Sequence, residues 1–546
     1  MTVRSPDNLR SRANGIVPPP GGATFASFML FAALASLVAV LYAGSEWFIA
    51  SGVFGFPADA AWARATFARS VATGHGLSFT AGPVAGALAP SWLLVLGLGA
   101  AMSGDFVLTA KVVGVVSVAL AAMLAWVIAR RLLEDWRFAF LAGLLVVVSP
   151  ALSAQALGGT EGPFAAMLVI AAICWQGLSW GGSRRQQVVL AVVVGLAALA
   201  RPELALLLPL VFLDRLLITA MRSRFEHCCP LALLRGAAEA AGAVLITLPY
   251  VLYNVRAGGP LWQRMELALR PQSPLTWIAG VLGALWVNNP LLLILAALGL
   301  VVVVLAAARE SAEHPTFLPA LLPITLLVAP GFLWREAAPA NARQAATCLT
   351  PIICVLGTAG LYLAYRALRA TSQRARRRAS RLLFGAAIAV TVATLFGLMV
   401  AQQLQAWEQH GRLVKRVNSL QVGAGKWASQ HLPPDASIAS REVGGIGFFG
   451  HRRVVDLGGT ISTEGIGYLR RPGSLDTNLL AYLEKEQPSH LAIRPGDFPD
   501  LARRADLLIP AVTCMDTDRT TGGVTTLVLY ETPWPPPSIR GLTGKH

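Results

Sequence analysis

Residues 291–308 read LLLILAALGLVVVVLAAA, a stretch without a single charged or hydrogen-bonding side chain. A helix that crosses a bilayer needs roughly 20 mainly apolar residues. Lipid offers no partner to unpaired backbone groups, so a helix is the structure that such a stretch adopts. Comparable apolar stretches occupy residues 25–42, 107–128 and 382–400. The chain is therefore predicted to be a mainly α, polytopic helical membrane protein.

The composition of the whole chain supports this prediction. Hydrophobic residues make up 55% of the 546 positions and charged residues only 14%, against about 25% charged in soluble domains. The formal charge is +16. Its arginines fall in short clusters between apolar stretches, as expected of cytoplasmic loops. We therefore expect anionic membrane lipids, and no nucleic acid, to be their partner.

The alternation of apolar stretches and basic clusters predicts a domain organisation. Residues 1–24 are expected to form a cytoplasmic tail, and 25–401 a transmembrane domain of about eleven helices. Within it, residues 43–102 form a first outer loop with interfacial helices, one of them at 87–102. From 402 to 546, short β-like runs at 437–439, 454–456, 490–493 and 524–530, with a helix at 478–486, predict an extracytoplasmic α/β domain.

The first outer loop contains a candidate catalytic carboxylate, Asp59, followed closely by Trp62. Partial desolvation beside apolar surface raises the pKa of a carboxyl group towards the range that a general base needs. The same position, at the start of a predicted amphipathic helix, also suits a helix N-cap. The residues alone leave both interpretations open.

Four motifs follow one another in this loop: DAAW at 59–62, TFARSV at 66–71, GHGL at 74–77 and PSW at 90–92. Their order and spacing resemble the first outer loop of the GT-C glycosyltransferases. The resemblance is to the terminal arabinofuranosyltransferases of mycobacterial cell walls and to the protein mannosyltransferase-like branch. In the former the pattern reads Asp-Asp-Ala-Tyr, Arg-Tyr-Ala-Arg-Asn-Leu, Gly-His-Gly-Leu and Pro-Leu-Trp. The resemblance makes Trp62, Arg69, His75 and Trp92 candidate substrate-binding residues, with no chemistry assigned to His75.

The resemblance implies a multi-span enzyme of the cytoplasmic (inner) membrane. It would transfer a sugar from a polyprenyl-phosphate-linked donor to a glycan, lipid or protein acceptor on the outer face. The transfer would be inverting, with Asp59 as the general base. The second Asp of the family's pair is Ala60 in this chain, which bears on whether a divalent metal (Mg or Mn) is used.

A second family element resembles GGTEGPF at 158–164, where Glu161 would face the same cavity as Asp59. Of two carboxylates from separate outer loops, one can act as the general base while the other binds a metal or the acceptor. Any metal would then be held by Asp59 and Glu161. The alternative is a Glu in the first turn of the next helix, where the helix dipole favours it.

Three arginines are candidates for the donor phosphate, because a guanidinium offers forked donors to phosphate oxygens. Arg201 in Arg201-Pro202-Glu203, and Arg343 before an apolar helix, resemble elements of the same superfamily. Arg264 in an outer loop is a weaker candidate. For Arg201 the alternative is an arginine whose apolar stem is buried and whose head reaches the membrane interface.

Residues 439–449 and 452–459 are similar to the soluble tail of the same branch, where an acidic residue, a Gly-rich turn and a strand recur. By analogy the outer domain is a possible acceptor-binding module, although such a strand–turn–strand is more often framework. Two other functions stay open. A transporter or lipid flippase also has many helices and a few membrane-level charges, although no internal repeat is evident. The second alternative is a catalytically silent relative that serves as an assembly partner, because Ala60 stands where the family has its second Asp.

Overall fold

A computed structural model of the chain describes residues 21–80, 82–133, 135–179, 183–222, 229–265, 267–307, 316–375, 378–517, 523–536 and 538. The predicted tail, up to residue 20, lies outside them. The helices of the membrane part are α1 (Gly21–Phe48), α2 (Asp59–Ala72), α3 (Pro90–Ser103), α4 (Phe106–Leu132), α5 (Trp136–Val147), α6 (Pro150–Leu157), α7 (Gly162–Ser179), α8 (Arg184–Ala200), α9 (Leu207–Arg222), α10 (Cys229–Arg256), α11 (Pro274–Asn288), α12 (Pro290–Ala307), α13 (Leu318–Leu333), α14 (Pro339–Ala375) and α15 (Arg378–Val417).

Apolar helices long enough to cross a membrane confirm the prediction of a multi-pass membrane protein. In the described residues, α1, α4, α9, α10, α14 and α15 meet this condition, which makes six by length and composition. The number rises to eight if the bent pairs α5–α6 and α11–α12 each form one span. Shorter apolar helices are α3, α7 and α13. The predicted number of about eleven stays a prediction.

The helix α14 is the central element of the membrane part, and its apolar window is almost wholly buried. It packs most extensively against α12. At this contact, a Cβ added to Gly299 would overlap the carbonyl oxygen of Leu356, and one added to Gly360 would overlap that of Leu295. Glycines thus allow two backbones to approach closely, a common way for helices to associate where there is no water to exclude.

The last membrane helix, α15, continues well beyond the apolar stretch that predicted it. It spans 40 residues, or ~60 Å, about twice the thickness of a hydrocarbon core. We expected an end near Ala401, where the composition turns polar. The change of composition therefore does not mark the end of the helix, which continues to Val417. Buried Glu46 anchors the polar extension, since it binds His410 of α15 at 2.7 Å and Lys111 of α4 at 2.5 Å.

The C-terminal domain keeps the name outer domain from its predicted location, and it begins where α15 passes through a π-helical turn (Asn418–Val422) into α16 (Gly423–His431). Its strands are β3 (Ser437–Ser440), β4 (Arg453–Asp456), β5 (His490–Ile493), β6 (Ile509–Thr517) and β7 (Val524–Glu531). They form one sheet in the order β4-β3-β5-β7-β6. The strands β4, β3 and β5 are parallel, and β7 and β6 are antiparallel to their neighbours. The other helices are α17 (Val443–Gly450), α18 (Thr463–Leu469), α19 (Leu475–Glu486) and α20 (Pro499–Ala502).

Four of these strands and α19 confirm the segments predicted from the sequence, and with them the α/β class of the outer domain. The strand β6 was not predicted. It is an edge strand whose residues are mostly exposed, so it lacks the apolar alternation by which half-buried strands are recognised. The predicted outer loop contains α2, a short hairpin of β1 (Ser78–Phe79) and β2 (Gly82–Pro83), and α3.

Candidate functional site

The helix α2 of the first outer loop packs against α17 of the outer domain and brings Asp59 to the contact. The two helices approach so closely that a Cβ added to Gly444 would overlap the carbonyl oxygen of Asp59. A glycine at this position is therefore a steric requirement of the contact. The Gly-rich turn expected within residues 439–449 is thus a helix, α17, that packs against the helix carrying Asp59.

The Asp59 carboxylate binds the N-terminus of α17. Its Oδ2 accepts a hydrogen bond from the amide of Gly444 at 2.8 Å, and its Oδ1 accepts one from Gly445 at 2.8 Å. The first amides of a helix have no partner within the helix and carry partial positive charge. Asp59 is the first residue of α2, whose own N-cap is Ala58. The carboxylate therefore caps another helix and not its own.

Burial raises the pKa of Asp59 to about 6, although the amides of Gly445 and Gly444 pull it down. Nearby Glu442 raises the pKa further and Arg494 lowers it. A base with a pKa just below neutrality is ionised at pH 7 and still has appreciable proton affinity. Each carboxylate oxygen has a second lone pair, so the two amide bonds leave room for a substrate hydroxyl.

Arg69, at the other end of α2, binds the C-terminal end of α17. Its Nη1 donates to the carbonyl of Phe448 at 2.7 Å, and its Nη2 donates to Gly447 at 3.4 Å. Its guanidinium lies 4.5 Å from the ring centroid of Phe448. A carboxylate at the N-terminus and a cation at the C-terminus both complement the dipole of α17. Arg69 was predicted to bind substrate, and the structure shows it holding the outer domain.

Trp62, one turn after Asp59, lies in an aromatic cluster that joins the two domains. Its ring centroid is 4.8 Å from that of Phe56, 5.1 Å from Phe448 and 4.9 Å from Phe449. Its indole N–H is buried and makes no hydrogen bond to a described residue, and the same holds for Trp92. Two candidate substrate-binding residues thus retain unused donors in the loop that carries Asp59.

Glu161 has a different environment, between two buried guanidinium groups. Its Oε2 lies 2.5 Å from Arg64 Nε, and its Oε1 lies 2.8 Å from Arg201 Nη1. Burial on its own would raise the pKa of Glu161, but Arg64 and Arg201 outweigh it and hold the pKa below its ordinary value. A carboxylate neutralised in this way is a weak base. Arg64, which the sequence analysis did not select, is the residue that links Glu161 to α2.

The two carboxylates lie on different sides of α2. Asp59 and Arg64 are five residues apart, which corresponds to a rotation of about 140° around the helix. Asp59 faces α17, and Glu161 meets α2 through Arg64. This arrangement does not fit a divalent cation held by Asp59 and Glu161 together. Among the described residues, no group of three or more His, Cys, Asp or Glu side chains could hold a metal.

The three arginines predicted to bind the donor phosphate differ in availability. Arg201 is 2% exposed, and it binds Glu203 at 2.5 Å, Glu161 and Gln344. Arg343 is exposed on the first turns of α14. Arg264 is half-buried, and its pKa is lowered by burial. No ion pair to Arg264 is found within the described part of the chain. Arg343 and Arg264 therefore retain the donors that a phosphate needs.

His75 lies beyond the C-terminal end of α2, where it is exposed and its Nδ1 contacts the Thr73 hydroxyl at 2.9 Å. The 14 residues of α2 span ~20 Å, so His75 and Asp59 lie at opposite ends of this helix. Trp92 lies in the first turn of α3, fully buried, with its ring 5.9 Å from that of Phe164.

Three residues that the outer domain supplies near Asp59 were not predicted from the sequence. Glu442 directly precedes α17 and forms an ion pair with Arg494. Gln421 of the π-helical turn lies so close that a Cβ on Gly445 would be 2.8 Å from its own Cβ. The acidic residue before a Gly-rich turn was a visible signal for Glu442. Nothing local marks Gln421 or Arg494, because strand β5 and the turn are brought together only by the fold.

Comparisons with known proteins add to this geometry. Residues 404–529 match one family, described as a domain of unknown function (DUF8728). No curated protein sequence matches the chain. One similar solved structure is the oligosaccharyltransferase of Archaeoglobus fulgidus tethered with an acceptor peptide, at 12% identity and a TM-score of 0.60. The match covers 92% of this chain and 74% of that one.

A second similar structure is ArnT from Cupriavidus metallidurans bound to undecaprenyl phosphate, at 16% identity and a TM-score of 0.57. The match covers 92% of this chain and 98% of that one. A third is the archaeal oligosaccharyltransferase AglB with an inhibitory peptide and a dolichol-phosphate, at 12% identity, a TM-score of 0.61, and 94% and 75% coverage. The chain therefore has the GT-C fold of these membrane proteins, as its outer-loop motifs predicted.

Proposed function

We propose that this protein is a membrane glycosyltransferase that transfers a sugar from a polyprenyl-phosphate donor to an acceptor at the cell envelope. The observation that carries the proposal is the environment of Asp59. Its carboxylate is oriented by two amides, its pKa is raised to about 6, and it lies at the junction of the membrane and outer domains. These are the properties of a general base.

The similar structures support the choice of donor. The ArnT structure holds undecaprenyl phosphate, and the AglB structure holds a dolichol-phosphate. Both are polyprenyl phosphates, and the similarity of fold extends over more than nine-tenths of this chain. In a protein with several membrane helices, a lipid-linked donor can approach from the bilayer.

In the proposed mechanism the acceptor hydroxyl lies against the free lone pair of an Asp59 oxygen. Asp59 takes the hydroxyl proton as the oxygen attacks the anomeric carbon of the donor. The bond from that carbon to the phosphate oxygen breaks with inversion, and polyprenyl phosphate leaves with the bonding electrons. Arg343 and Arg264 are suited to bind the phosphate, because each keeps donors free of a carboxylate. Holding both substrates in line supplies much of the rate enhancement.

In this proposal the active site lies on the outer face of the cytoplasmic membrane, with the N-terminus inside and the outer domain outside. The basic clusters at residues 130–137 and 366–381 support this orientation, since both follow apolar helices at the end predicted to be cytoplasmic. The acceptor is then a glycan, lipid or protein of the cell envelope.

The test is sugar transfer by the purified protein in lipid nanodiscs, with a panel of radiolabelled polyprenyl-phosphate sugars and a cell-envelope extract. We expect Asp59→Asn to reduce transfer about 10²–10⁴-fold, the usual contribution of a general base. The matched control is Asp500→Asn, since Asp500 is an exposed carboxylate of the outer domain. A wild-type protein that moves lipid-linked sugar across a bilayer, and neither transfers nor hydrolyses it, would instead be a transporter.

A further inference from the structure

Two connecting segments of the membrane part, residues 267–272 before α11 and 335–337 before α14, pair with each other. Leu267 and Ala337 form an antiparallel bridge. Two backbone hydrogen bonds, of 2.8 and 2.6 Å, connect the same segments, and in each an amide of the first donates to a carbonyl of the second. We call them the paired segments.

The two arginines suited to the donor phosphate lie on the same side of this bridge. In an antiparallel pair, residues that precede the bridge on one segment lie opposite residues that follow it on the other. Arg264 comes three residues before Leu267, and Arg343 comes six residues after Ala337, near the start of α14. The bridge therefore joins the two parts of the chain that would bind one phosphate.

The first outer loop fixes Arg264 through Gly86. The amide of Arg264 donates to the carbonyl of Gly86 at 3.0 Å. A Cβ added to Gly86 would lie 3.0 Å from Arg264 Cγ, so the aliphatic part of the arginine packs directly on the glycine. Gly86 also has a φ of +76°, which a glycine adopts without strain. Arg264 is thus held at its backbone and at its side chain.

The outer domain contacts the paired segments through Arg470, at the C-terminal end of α18. Its Nε donates to the carbonyl of Ala268 at 3.0 Å, and its Nη2 donates to the same oxygen. Its Nη1 donates to the carboxylate of Glu336 at 2.7 Å. Beside these bonds, Leu269 packs against a hydrophobic cluster of the outer domain that contains Leu469. One guanidinium group therefore binds both segments where they pair.

The bonds of Arg470 matter more for the order of the paired segments than for the stability of the fold. The side chains of Arg470 and Glu336 are 19% and 59% exposed, and an ion pair that reaches solvent in this way contributes little stability. Ordering a connecting segment costs conformational entropy at each residue. A ligand binds more tightly when protein contacts have ordered its site beforehand.

We propose that Arg470 is a positioning residue for the donor, because it binds both paired segments and so fixes Arg264 and Arg343 for the phosphate of the lipid-linked sugar. This inference rests on the proposed function and adds that the outer domain takes part in donor binding. Arg470 acts through the two segments and does not contact the substrate. The phosphate itself accepts hydrogen bonds from the guanidinium groups of Arg264 and Arg343.

The first test measures the binding of undecaprenyl phosphate to the purified protein in lipid nanodiscs, which requires no turnover. We expect Arg470→Gln to raise the Kd about tenfold, which corresponds to the entropy of ordering roughly one residue. The matched control is Arg471→Gln, which removes the same charge from the neighbouring residue, whose guanidinium lies 3.5 Å from the ring centroid of Tyr468. An unchanged Kd in Arg470→Gln, or an equal rise in both variants, would overturn the proposal.

Hydrogen–deuterium exchange separates positioning from a general loss of structure. In Arg470→Gln we expect faster amide exchange at residues 267–272 and 335–343, and unchanged exchange at 443–450, the helix whose amides bind Asp59. Glu336→Gln removes the ion pair and leaves the bonds to the Ala268 carbonyl, so its exchange should rise less. Faster exchange at 443–450 as well would show that Arg470 supports the whole domain contact, and would refute a positioning role.

Turnover distinguishes a failure of this inference from a failure of the proposed function. In Arg470→Gln the KM for the donor should rise about as much as the Kd, while the KM for the acceptor stays unchanged. Equal rises in both KM values would refute donor positioning and leave the transferase activity established. A wild-type protein that binds undecaprenyl phosphate and transfers no sugar would contradict the proposed function, whereas the Kd of Arg470→Gln would still decide the role of Arg470.

Discussion

Asp59 and Glu161 are both carboxylates of segments predicted to be outer loops, yet their partners differ in charge. Asp59 is held by two neutral amides, and its pKa is raised to about 6. Glu161 is held by two guanidinium groups, and its pKa is lowered. A carboxylate oriented by neutral amides keeps its net negative charge and its proton affinity. A carboxylate paired with two guanidinium groups has its charge neutralised, and its proton affinity is lowered. The comparison shows that the charge of the neighbouring groups decides whether the pKa of a carboxyl group is raised or lowered.

Glu161→Gln is the change with the largest expected effect on stability. It leaves the buried guanidinium of Arg64 without its carboxylate partner, and breaking a buried ion pair costs about 3–5 kcal/mol. We expect a large fall in the temperature of unfolding in detergent. Asp59→Asn should lower that temperature less, because the asparagine oxygen still accepts one of the two amide hydrogen bonds, and one unsatisfied amide costs about 1–3 kcal/mol. A stable but inactive Glu161→Gln protein would show instead that Glu161 takes part in catalysis.

Gly444→Ala tests the helix contact on which the environment of Asp59 depends. The new Cβ would overlap the carbonyl oxygen of Asp59, and overpacking of this kind costs about 1–3 kcal/mol. We expect faster amide exchange in residues 443–450 and a loss of transferase activity. The control is Gly467→Ala in α18, where a Cβ meets nothing within 4 Å. Equal behaviour of the two variants would remove the link between the contact and the activity.

The sequence predicted the parts of this molecule that local patterns encode. Apolar stretches predicted membrane helices, and short β-like runs predicted strands β3, β4, β5 and β7 at nearly their observed bounds. Asp59 itself was selected from its loop and motif. Its partners were not, because the amides that bind it lie 385 and 386 residues away in the chain. No local pattern records which groups the fold brings together.

The same limit explains the residues whose contacts differ from expectation. Arg69 and Glu161 belong to motifs that resemble a substrate site, and a motif does not specify where a side chain points. In the structure Arg69 binds the carbonyls of α17, and Glu161 binds Arg64 and Arg201. The long helix α15 was shortened in the prediction for a related reason. Composition shows where the apolar stretch ends, whereas the length of the helix depends on what its polar extension packs against.

The dependence on pH should separate the two carboxylates, because the pKa of Asp59 is raised and that of Glu161 is lowered. Asp59 must be ionised to act as a base, so its raised pKa makes activity fall below pH 6, to about a tenth at pH 5. The lowered pKa of Glu161 acts in the opposite sense. The ion pairs of Glu161 stabilise the folded protein at pH values above about 4.3, the pKa of a glutamate in the unfolded chain. This stabilisation is lost as the pH falls below that value towards the lowered pKa of Glu161. Activity measured from pH 4.5 to 8 checks the first expectation, and unfolding temperatures measured from neutral pH to well below pH 4 check the second.

Arg69→Gln is the smallest expected change and tests whether the charges at the two ends of α2 act together. Glutamine still donates a hydrogen bond to the carbonyl of Phe448 but lacks the positive charge, and a charge at a helix end contributes about 0.3–1 kcal/mol. The unfolding temperature should fall slightly, and transferase activity should fall less than twofold, because Asp59 continues to hold the N-terminus of α17. If Arg69 instead binds substrate, as its motif suggested, the KM for donor or acceptor would rise severalfold at unchanged stability. Arg503→Gln, at an exposed arginine of the outer domain, controls for the loss of a positive charge.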